Sequence, residues 1–313
     1  MIIKLDQRND GLLPRRLLSN IQVPLYHTVY KVRHPLGLYN ISSSTVLDHF
    51  STTITKLFQV VNERTFLIKS KEHGDRSSVE TLLANQKDLL YALMEYLEDC
   101  ENILLCFFPS RKSRDKNSHV KSYRKATAEY RNHIGKIVNY LKHNQGRLRS
   151  IAFFNDDHLL PGYYVVGADE EGTVGAVEQI HAGGNTAFSF ARDLRYNLFH
   201  FYAVSQYLSD ALGSILEYEQ KIVTADNSQA LDKRILKIAL DVSSLPLMFY
   251  PDEVNKPAPT IAIANEHDMK IILTYPDDNV KVKAVQKGMY IIADQMGDEA
   301  TRSFRFPYIH KKN

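Results

Sequence analysis

The chain of 313 residues contains no tryptophan and only two cysteines, Cys100 and Cys106. Two thiols are too few for a disulfide framework or for a zinc site with four cysteine ligands. We therefore expect a reducing, cytoplasmic setting. The longest run of apolar residues, Ile103–Phe108, is far shorter than the ~20 residues that cross a bilayer. The first residues carry charges and no apolar stretch, so neither a signal peptide nor a membrane partner is expected.

The sequence also lacks the motifs that identify common enzyme classes. Its glycines have neither the lysine of a phosphate-binding loop nor the spacing of a dinucleotide-binding fold, and Gly-x-Ser-x-Gly is absent. Two acid–histidine clusters, Asp156–His158 and Glu266–Asp268, lie in turn-like segments, and adjacent residues rarely converge on one ion. No cofactor and no metal ion are predicted, and whether the chain is an enzyme stays open.

Charge, by contrast, is present in quantity and is unevenly distributed. Residues 111–149 hold twelve Lys or Arg and two acids, a net charge of +10, whereas the whole chain has a net charge of +3. The remainder of the chain therefore carries −7. An acidic body with one basic stretch is typical of a protein that binds a polyanion through that stretch.

A single amphipathic helix is predicted within this basic stretch, over Tyr123–Arg149. At 100° per residue, one apolar face contains Tyr123, Tyr130, Ile134, Ile137, Leu141 and Leu148. Four cations lie nearly in line beside that face, and they are the predicted contacts to RNA or DNA phosphates: Arg124, Arg131, Lys142 and Arg149. The favoured function is therefore nucleic-acid binding through the basic helix and loop of residues 111–149.

Other interpretations of the basic stretch remain open. Its cations can simply solvate an exposed helix. They can also dock an acidic protein partner, which would make the chain a non-enzymatic interaction subunit. The preceding predicted helix has an acidic C-terminal half, and an antiparallel αα-hairpin would bring those acids beside the basic helix. Part of the positive charge would then be neutralised within the hairpin by Glu95, Glu98, Asp99 and Glu101.

The hydrophobic pattern predicts an α+β fold. Its core is helical and contains the αα-hairpin, a β-meander is inserted at about residues 151–182, and the C-terminal part is rich in strands. We predict a mainly helical domain over residues 1–249 and a small β-rich subdomain over residues 250–313. A helix predicted at about 186–224 is apolar on most of its circumference, so we expect it to be central and buried.

Two residues of that central helix, Arg195 and His200, are candidates for chemistry, because burying either is costly unless it is paired or used. This Arg-x4-His element resembles the signature of the HEPN superfamily, helical domains that are often metal-independent RNases. The resemblance implies that Arg195 binds phosphate while His200 acts in acid–base catalysis as the ribose 2′-hydroxyl attacks. It also implies a homodimer with a shared active site, and a role in antiviral defence. The open alternative is that Arg195 pairs with an acid and His200 is a core histidine.

Overall fold

A computed structural model of the chain describes residues 1–6, 10–63, 76–155, 158–216, 233–254, 256, 258–265, 270–275, 283–284, 290–293 and 303–309. The helices in these ranges are α1 (Pro14–Ser19), α2 (Pro35–Asn62), α3 (Arg76–Leu105), α4 (Arg111–Lys116), α5 (Ser118–His143), α6 (Phe190–Ile215) and α7 (Lys233–Ser244). The strands are β1 (Ile2–Leu5), β2 (Arg147–Asn155), β3 (His158–Ala168), β4 (Val174–Ala176), β5 (Phe188–Ser189), β6 (Met248–Phe249), β7 (Thr260–Asn265), β8 (Lys270–Thr274), β9 (Lys283–Ala284), β10 (Tyr290–Ala293) and β11 (Phe304–Arg305). The fold is α+β, as the sequence predicts.

The predicted basic helix is split into two elements. Its N-terminus is capped by Asn117, whose side-chain oxygen accepts hydrogen bonds from the amides of the first turn. The helix ends at His143, and Gln145 follows with a positive φ of 54°. Gly146 lies directly against the ring of Tyr140, where a larger residue would collide. The chain turns there and enters β2, so the last residues of the predicted helix belong to a strand.

Helices α3 and α5 form the predicted antiparallel hairpin. Successive positions along α5 contact earlier and earlier positions of α3. The segment between them, predicted as a loop, contains α4. Ser110 caps α4 in a capping box with Ser113. This short helix places cations beside the C-terminal end of α3. Its position therefore determines how much of the positive charge is exposed.

The predicted β-meander is confirmed and forms the centre of a larger sheet. Strand β2 pairs with β3 over its whole length, and β3 pairs with β4 and β5, all antiparallel. The C-terminal strands β10 and β11 extend this sheet on β2 and β4. A second sheet has the order β1–β8–β7. Strands of the predicted C-terminal subdomain are thus hydrogen-bonded to β1, β2 and β4, which come from the part predicted as the helical domain.

Helix α6 is the central element, as its composition predicts. Its buried residues include polar ones, among them Arg192, Asp193, Arg195 and Asn197. It packs on α5, α3, α7 and β3. Ser189 caps its N-terminus by accepting a hydrogen bond from the amide of Arg192. The site residues predicted on this helix therefore face several different neighbours.

One close approach in the sheet gives a test of this packing. A Cβ at Gly162 of β3 would collide with the Phe188 carbonyl oxygen and with the Tyr250 hydroxyl. That hydroxyl donates to the carbonyls of Ile151 and Leu160, each at 3.1 Å. We expect Gly162→Ala to lower the free energy of unfolding by about 2 kcal/mol or more, measured by urea denaturation, because overpacking here shifts backbone.

The matched control is Gly213→Ala on α6, where nothing lies within 4 Å of the added Cβ. Alanine lowers the chain entropy of the unfolded state, so this variant should be about 0.5–1 kcal/mol more stable than the wild type. Equal stability of the two variants would contradict the described packing around β3.

Candidate functional site

The carboxylate of Glu101 on α3 gathers arginines from α4 and α5. Arg124 donates to its two oxygens from Nε and Nη2, at 3.0 and 2.9 Å. Nη2 of Arg131 lies 3.6 Å from Glu101 Oε1 and donates to the carbonyl of Leu97 at 3.1 Å. Nη1 of Arg114 lies 3.8 Å from Glu101 Oε2. One acid therefore binds three cations of the basic segment, as the hairpin geometry predicted in part.

A second carboxylate extends this network on the solvent side. Asp115 of α4 accepts from Arg114 Nε and from Arg124 Nη1, both at 2.9 Å. Hydrogen bonds from these two arginines hold the pKa of Asp115 below its usual value. The bonds to Glu101 raise the pKa of Arg124. Arg114 and Arg124 are thus engaged on both sides, with little capacity left for a phosphate.

The four predicted phosphate contacts do not form one exposed row. Arg124 and Arg131 face α3 and its acid. Lys142 is exposed, and its Nζ lies 5.2 Å from the centre of the Tyr91 ring on α3. Arg149 is half-buried on β2, opposite Tyr164 of β3. As nucleic-acid contacts they remain predictions, and the geometry favours a neighbouring set.

A different row of cations covers the outer side of α5. With Lys121 as the reference, Lys125 and Lys136 lie at about 40° and 60° around the helix. All three are exposed, and among the described residues the side chain of none of them has a hydrogen bond or ion pair. We call these three residues the lysine stripe. Exposed polar side chains interleave with it at similar angles, namely Asn132, Asn139 and His143.

Helix α4 continues the basic surface beyond the start of α5. Three of its residues are exposed cations: Arg111, Lys112 and Lys116. Helix α5 contains one acid, Glu129, which is exposed at the edge of the stripe, at about 80° from Lys121. The exposed surface of α4 and α5 is therefore strongly positive even after the arginines are neutralised.

The sequence contained the signal for the stripe. The in-line arginines flank the apolar face of α5, and such flanking positions meet the neighbouring helix, whereas positions opposite the apolar face stay in water. Because the preceding helix is acidic at its C-terminal end, the flanking cations were the ones to be neutralised. Among the cations of α5, excluding those that flank the apolar face leaves Lys121, Lys125 and Lys136.

Arg195, a predicted catalytic residue, is bound entirely by backbone carbonyls. It is buried and donates to Ala191 at 2.9 Å and to Ser243 at 3.2 Å, and also to Leu245. The last two carbonyls lie at the C-terminal end of α7, which a cation stabilises. Burial lowers the pKa of Arg195 to about 10, so it stays charged at neutral pH. It pairs with carbonyls rather than with the acid that the alternative interpretation expected.

His200, the second predicted catalytic residue, packs against α5, whereas Arg195 binds the end of α7. Its ring stacks on Tyr130 of α5 with a centroid distance of 4.5 Å and an interplanar angle of 10°. The rings of Tyr196 and Tyr275 also pack near it, with centroid distances of 4.3 and 5.6 Å. Its Nε2 is buried and has no hydrogen-bond partner among the described residues. The structure does not bring Arg195 and His200 to one surface.

Two further histidines lie near His200 in the same aromatic cluster. His133 is half-buried against Phe188 and Tyr196, with centroid distances of 5.8 and 5.3 Å. His181 is buried, and its Nε2 accepts from the amide of Val165 at 2.8 Å. That bond requires the neutral tautomer with the proton on Nδ1.

All three histidines are held neutral. Burial, with smaller contributions from Arg192, Lys256 and Lys136, lowers the pKa of His133 to about 4. Burial, with smaller contributions from His133 and Arg192, lowers the pKa of His200 to about 3. Burial, together with Lys256 and His133, lowers that of His181 to about 3. Histidines with such values cannot donate protons at neutral pH, which limits what the cluster can do as an acid.

Two buried carboxyl groups, those of Asp193 and Glu253, lie near the N-terminal end of α6. Asp193 accepts from Gln86, Tyr163 and Asn197 at 2.9–3.0 Å, and burial raises its pKa to about 6. Glu253 accepts from the amide and hydroxyl of Ser189, and burial raises its pKa to about 7. Their acceptor atoms are used by the fold, which indicates a structural role for both.

In comparisons with known proteins, no protein family, no curated protein and no solved structure matches the chain. The resemblance to HEPN domains therefore stays a prediction. In the described part of the chain no helix is both long and apolar enough to cross a bilayer. The described residues contain no group of three or more His, Cys, Asp or Glu placed to hold a metal ion. The acid–histidine turn segments at 156–157 and 266–268 lie outside the described residues.

The arginine network gives a first test at the site. Glu101→Gln keeps the shape of the side chain but removes the charge that holds Arg114, Arg124 and Arg131 together. We expect the free energy of unfolding to fall by about 1–3 kcal/mol, the range for hydrogen bonds to charged groups, toward the lower end because Arg124 is partly exposed. Urea denaturation at low salt measures this change.

The control is Glu98→Gln, an exposed acid on the same helix. Surface substitutions away from such networks usually change stability by within ~0.5 kcal/mol. If both variants lose the same stability, Glu101 does not anchor α5 as described.

The buried histidine gives a second test through pH. In the folded state His200 has a pKa of about 3, whereas in the unfolded chain histidine titrates near ~6.5. As pH falls below the unfolded value, the unfolded chain takes up the proton first, so the wild type loses stability in this window. His200→Phe keeps the ring packing and removes this loss.

We therefore expect His200→Phe to gain stability relative to the wild type by about 2–3 kcal/mol between pH 7.5 and 4.5. Urea denaturation at both pH values measures it. Asp193 and Glu253, whose pKa values are raised, act in the opposite direction, but they are common to both proteins and cancel in the difference. A difference that does not change with pH would show that His200 is hydrated in the fold.

Proposed function

We propose that the chain binds nucleic acid by contacting its phosphates with the exposed basic surface of α4 and α5. The observation that carries the proposal is the lysine stripe, because Lys121, Lys125 and Lys136 are exposed cations without partners among the described residues. Lysine is a point charge that binds phosphate readily. Amide side chains such as those of Asn132 and Asn139 are further phosphate donors.

The charge of the rest of the chain supports the same proposal. Outside residues 111–149 the net charge is −7, and inside it is +10. A polyanion is therefore repelled by most of the protein and attracted to one surface, which orients the encounter. Pairing of Arg114, Arg124 and Arg131 with Glu101 reduces that attraction but leaves the exposed cations of α4 and α5 unchanged.

Cleavage of RNA by Arg195 and His200 is not part of the proposal. The guanidinium of Arg195 is occupied by three carbonyls, and the Nε2 of His200 is buried among aromatic rings. A phosphate-binding arginine needs donors that reach the substrate, and a general base needs hydrogen-bond reach to the proton it takes. Binding alone accounts for the exposed surface.

The test removes the lysine stripe. In the triple variant Lys121→Ala, Lys125→Ala and Lys136→Ala, three phosphate contacts are lost, and each contact adds about 0.9 to the salt slope of duplex binding. Among 24-nucleotide DNA and RNA probes, single-stranded and duplex, we expect affinity for the probe that the wild type binds most tightly to fall about 10-fold or more at low salt. The slope of log affinity against log salt should become shallower by about 2–3. Fluorescence anisotropy over a salt series measures both.

The matched control removes the same charge elsewhere, with Lys4→Ala, Arg16→Ala and Lys237→Ala, exposed residues of β1, α1 and α7. It should bind nearly as the wild type does. If no nucleic-acid probe binds the wild type at low salt, the proposal is wrong. Binding to poly-glutamate instead, lost in the stripe variant, would identify an acidic protein as the partner.

A further inference from the structure

Helix α5, which carries the lysine stripe, is packed against the core along its whole length. Opposite the stripe, it is anchored by apolar residues from Val120 near its start to Leu141 near its end. The exposed polar side chains run from Lys121 to His143, which is about 33 Å along a helix that rises 1.5 Å per residue. Glu101 fixes the rotation of the helix through Arg124 and Arg131. The cations are therefore presented in one fixed line.

In residues 111–147 the same surface offers no exposed tyrosine, phenylalanine or tryptophan ring for bases to stack on. In residues 111–147, all of which the structure describes, the tyrosines are Tyr123, Tyr130 and Tyr140, and none is exposed. Tyr123 and Tyr130 are buried, and Tyr140 packs against Gly146 and Gly167. The segment contains no phenylalanine or tryptophan. Proteins that bind single strands usually combine a basic groove with exposed aromatic side chains, each stacked base adding about 1–3 kcal/mol.

A duplex has the complementary properties. It carries one negative charge per about 1.7 Å of axis and keeps its phosphates in place without help from base stacking on the protein. It is stiff over about 150 base pairs, so a straight row of cations binds it without ordering a flexible chain. One turn of the B-form duplex measures about 34 Å. The exposed row of α5 has nearly this length.

From these three features we infer that the exposed polar row of α5 from Lys121 to His143, with the lysine stripe as its main cations, selects double-stranded over single-stranded nucleic acid and covers about one turn of the duplex. This inference rests on the proposed function. The shared chemistry is the paired phosphate backbone, which duplex DNA and duplex RNA both supply. Arg114, Arg124 and Arg131, which could read guanine by two hydrogen bonds, are held by Glu101, and the cations of the stripe itself are lysines, so the stripe meets backbone charge.

The experiment compares four 24-nucleotide probes on the full chain by anisotropy: DNA and RNA of one sequence, each as a single strand and as a duplex. We expect the duplexes to bind about 10-fold or more tightly than the single strands at equal salt. The arms with DNA and RNA duplexes identify which of the two is preferred. Hairpins of 12 base pairs should retain most of the affinity, and hairpins of 6 base pairs should lose most of it.

The stripe variant with three alanines should lose the preference for duplex, and the control variant with Lys4, Arg16 and Lys237 replaced should keep it. Circular dichroism confirms that each variant is folded. Equal or tighter binding of single strands overturns the inference but leaves the proposed function standing. A duplex preference that survives in the stripe variant also overturns it, because another surface then makes the distinction. Absence of binding to all four probes overturns the proposed function together with the inference.

Discussion

The ion pairs of Glu101 determine which side of α5 faces water. A single carboxylate, 14% exposed, holds arginines from α4 and α5 on the flank of α3. Removing the charges from water is costly, and it is compensated here because each arginine also has a further acceptor or partner, such as Asp115 or the carbonyl of Leu97. Once the flank of α5 is fixed, the residues opposite its apolar face are exposed. The position of the lysine stripe is therefore a consequence of the hairpin and not of the stripe residues themselves.

The start of α6 follows the same rule that buried polar groups need partners. Asp193 and Glu253 are buried acids, and each accepts several hydrogen bonds from residues on other elements. Arg195 is a buried cation that joins the end of α7 to α6. An Arg-x4-His spacing places its two residues 140° apart around a helix. On a helix buried from several sides, that angle sends the two side chains to different neighbours, which is why the motif does not form a groove.

Periodicity was enough to predict the α+β fold, the αα-hairpin, the meander and the buried central helix. The end of the basic helix was not predictable from periodicity, because Leu148 and Arg149 fit the helical pattern and the break depends on the contact of Gly146 with Tyr140. The pairing of β10 with β2 and of β8 with β1 joins residues far apart in sequence, and local patterns carry no information on such partners. The choice between flanking arginines and outer lysines depended on the neighbouring acid, which the sequence contains but a single-helix projection ignores.

Arginine and lysine side chains occupy different places in this fold, and the difference has a functional consequence. Arg124 and Arg195 bind within the protein, where their planar fork matches a carboxylate or several carbonyls, and the three lysines of the stripe face water on α5. A lysine attracts phosphate as a point charge and imposes little geometry on it. A surface made of such contacts depends on charge density and on the spacing of charges rather than on base identity. Because α5 is fixed by its buried face and by Glu101, the spacing of its lysines is constant, and the shape of the ligand becomes the property that this surface can distinguish.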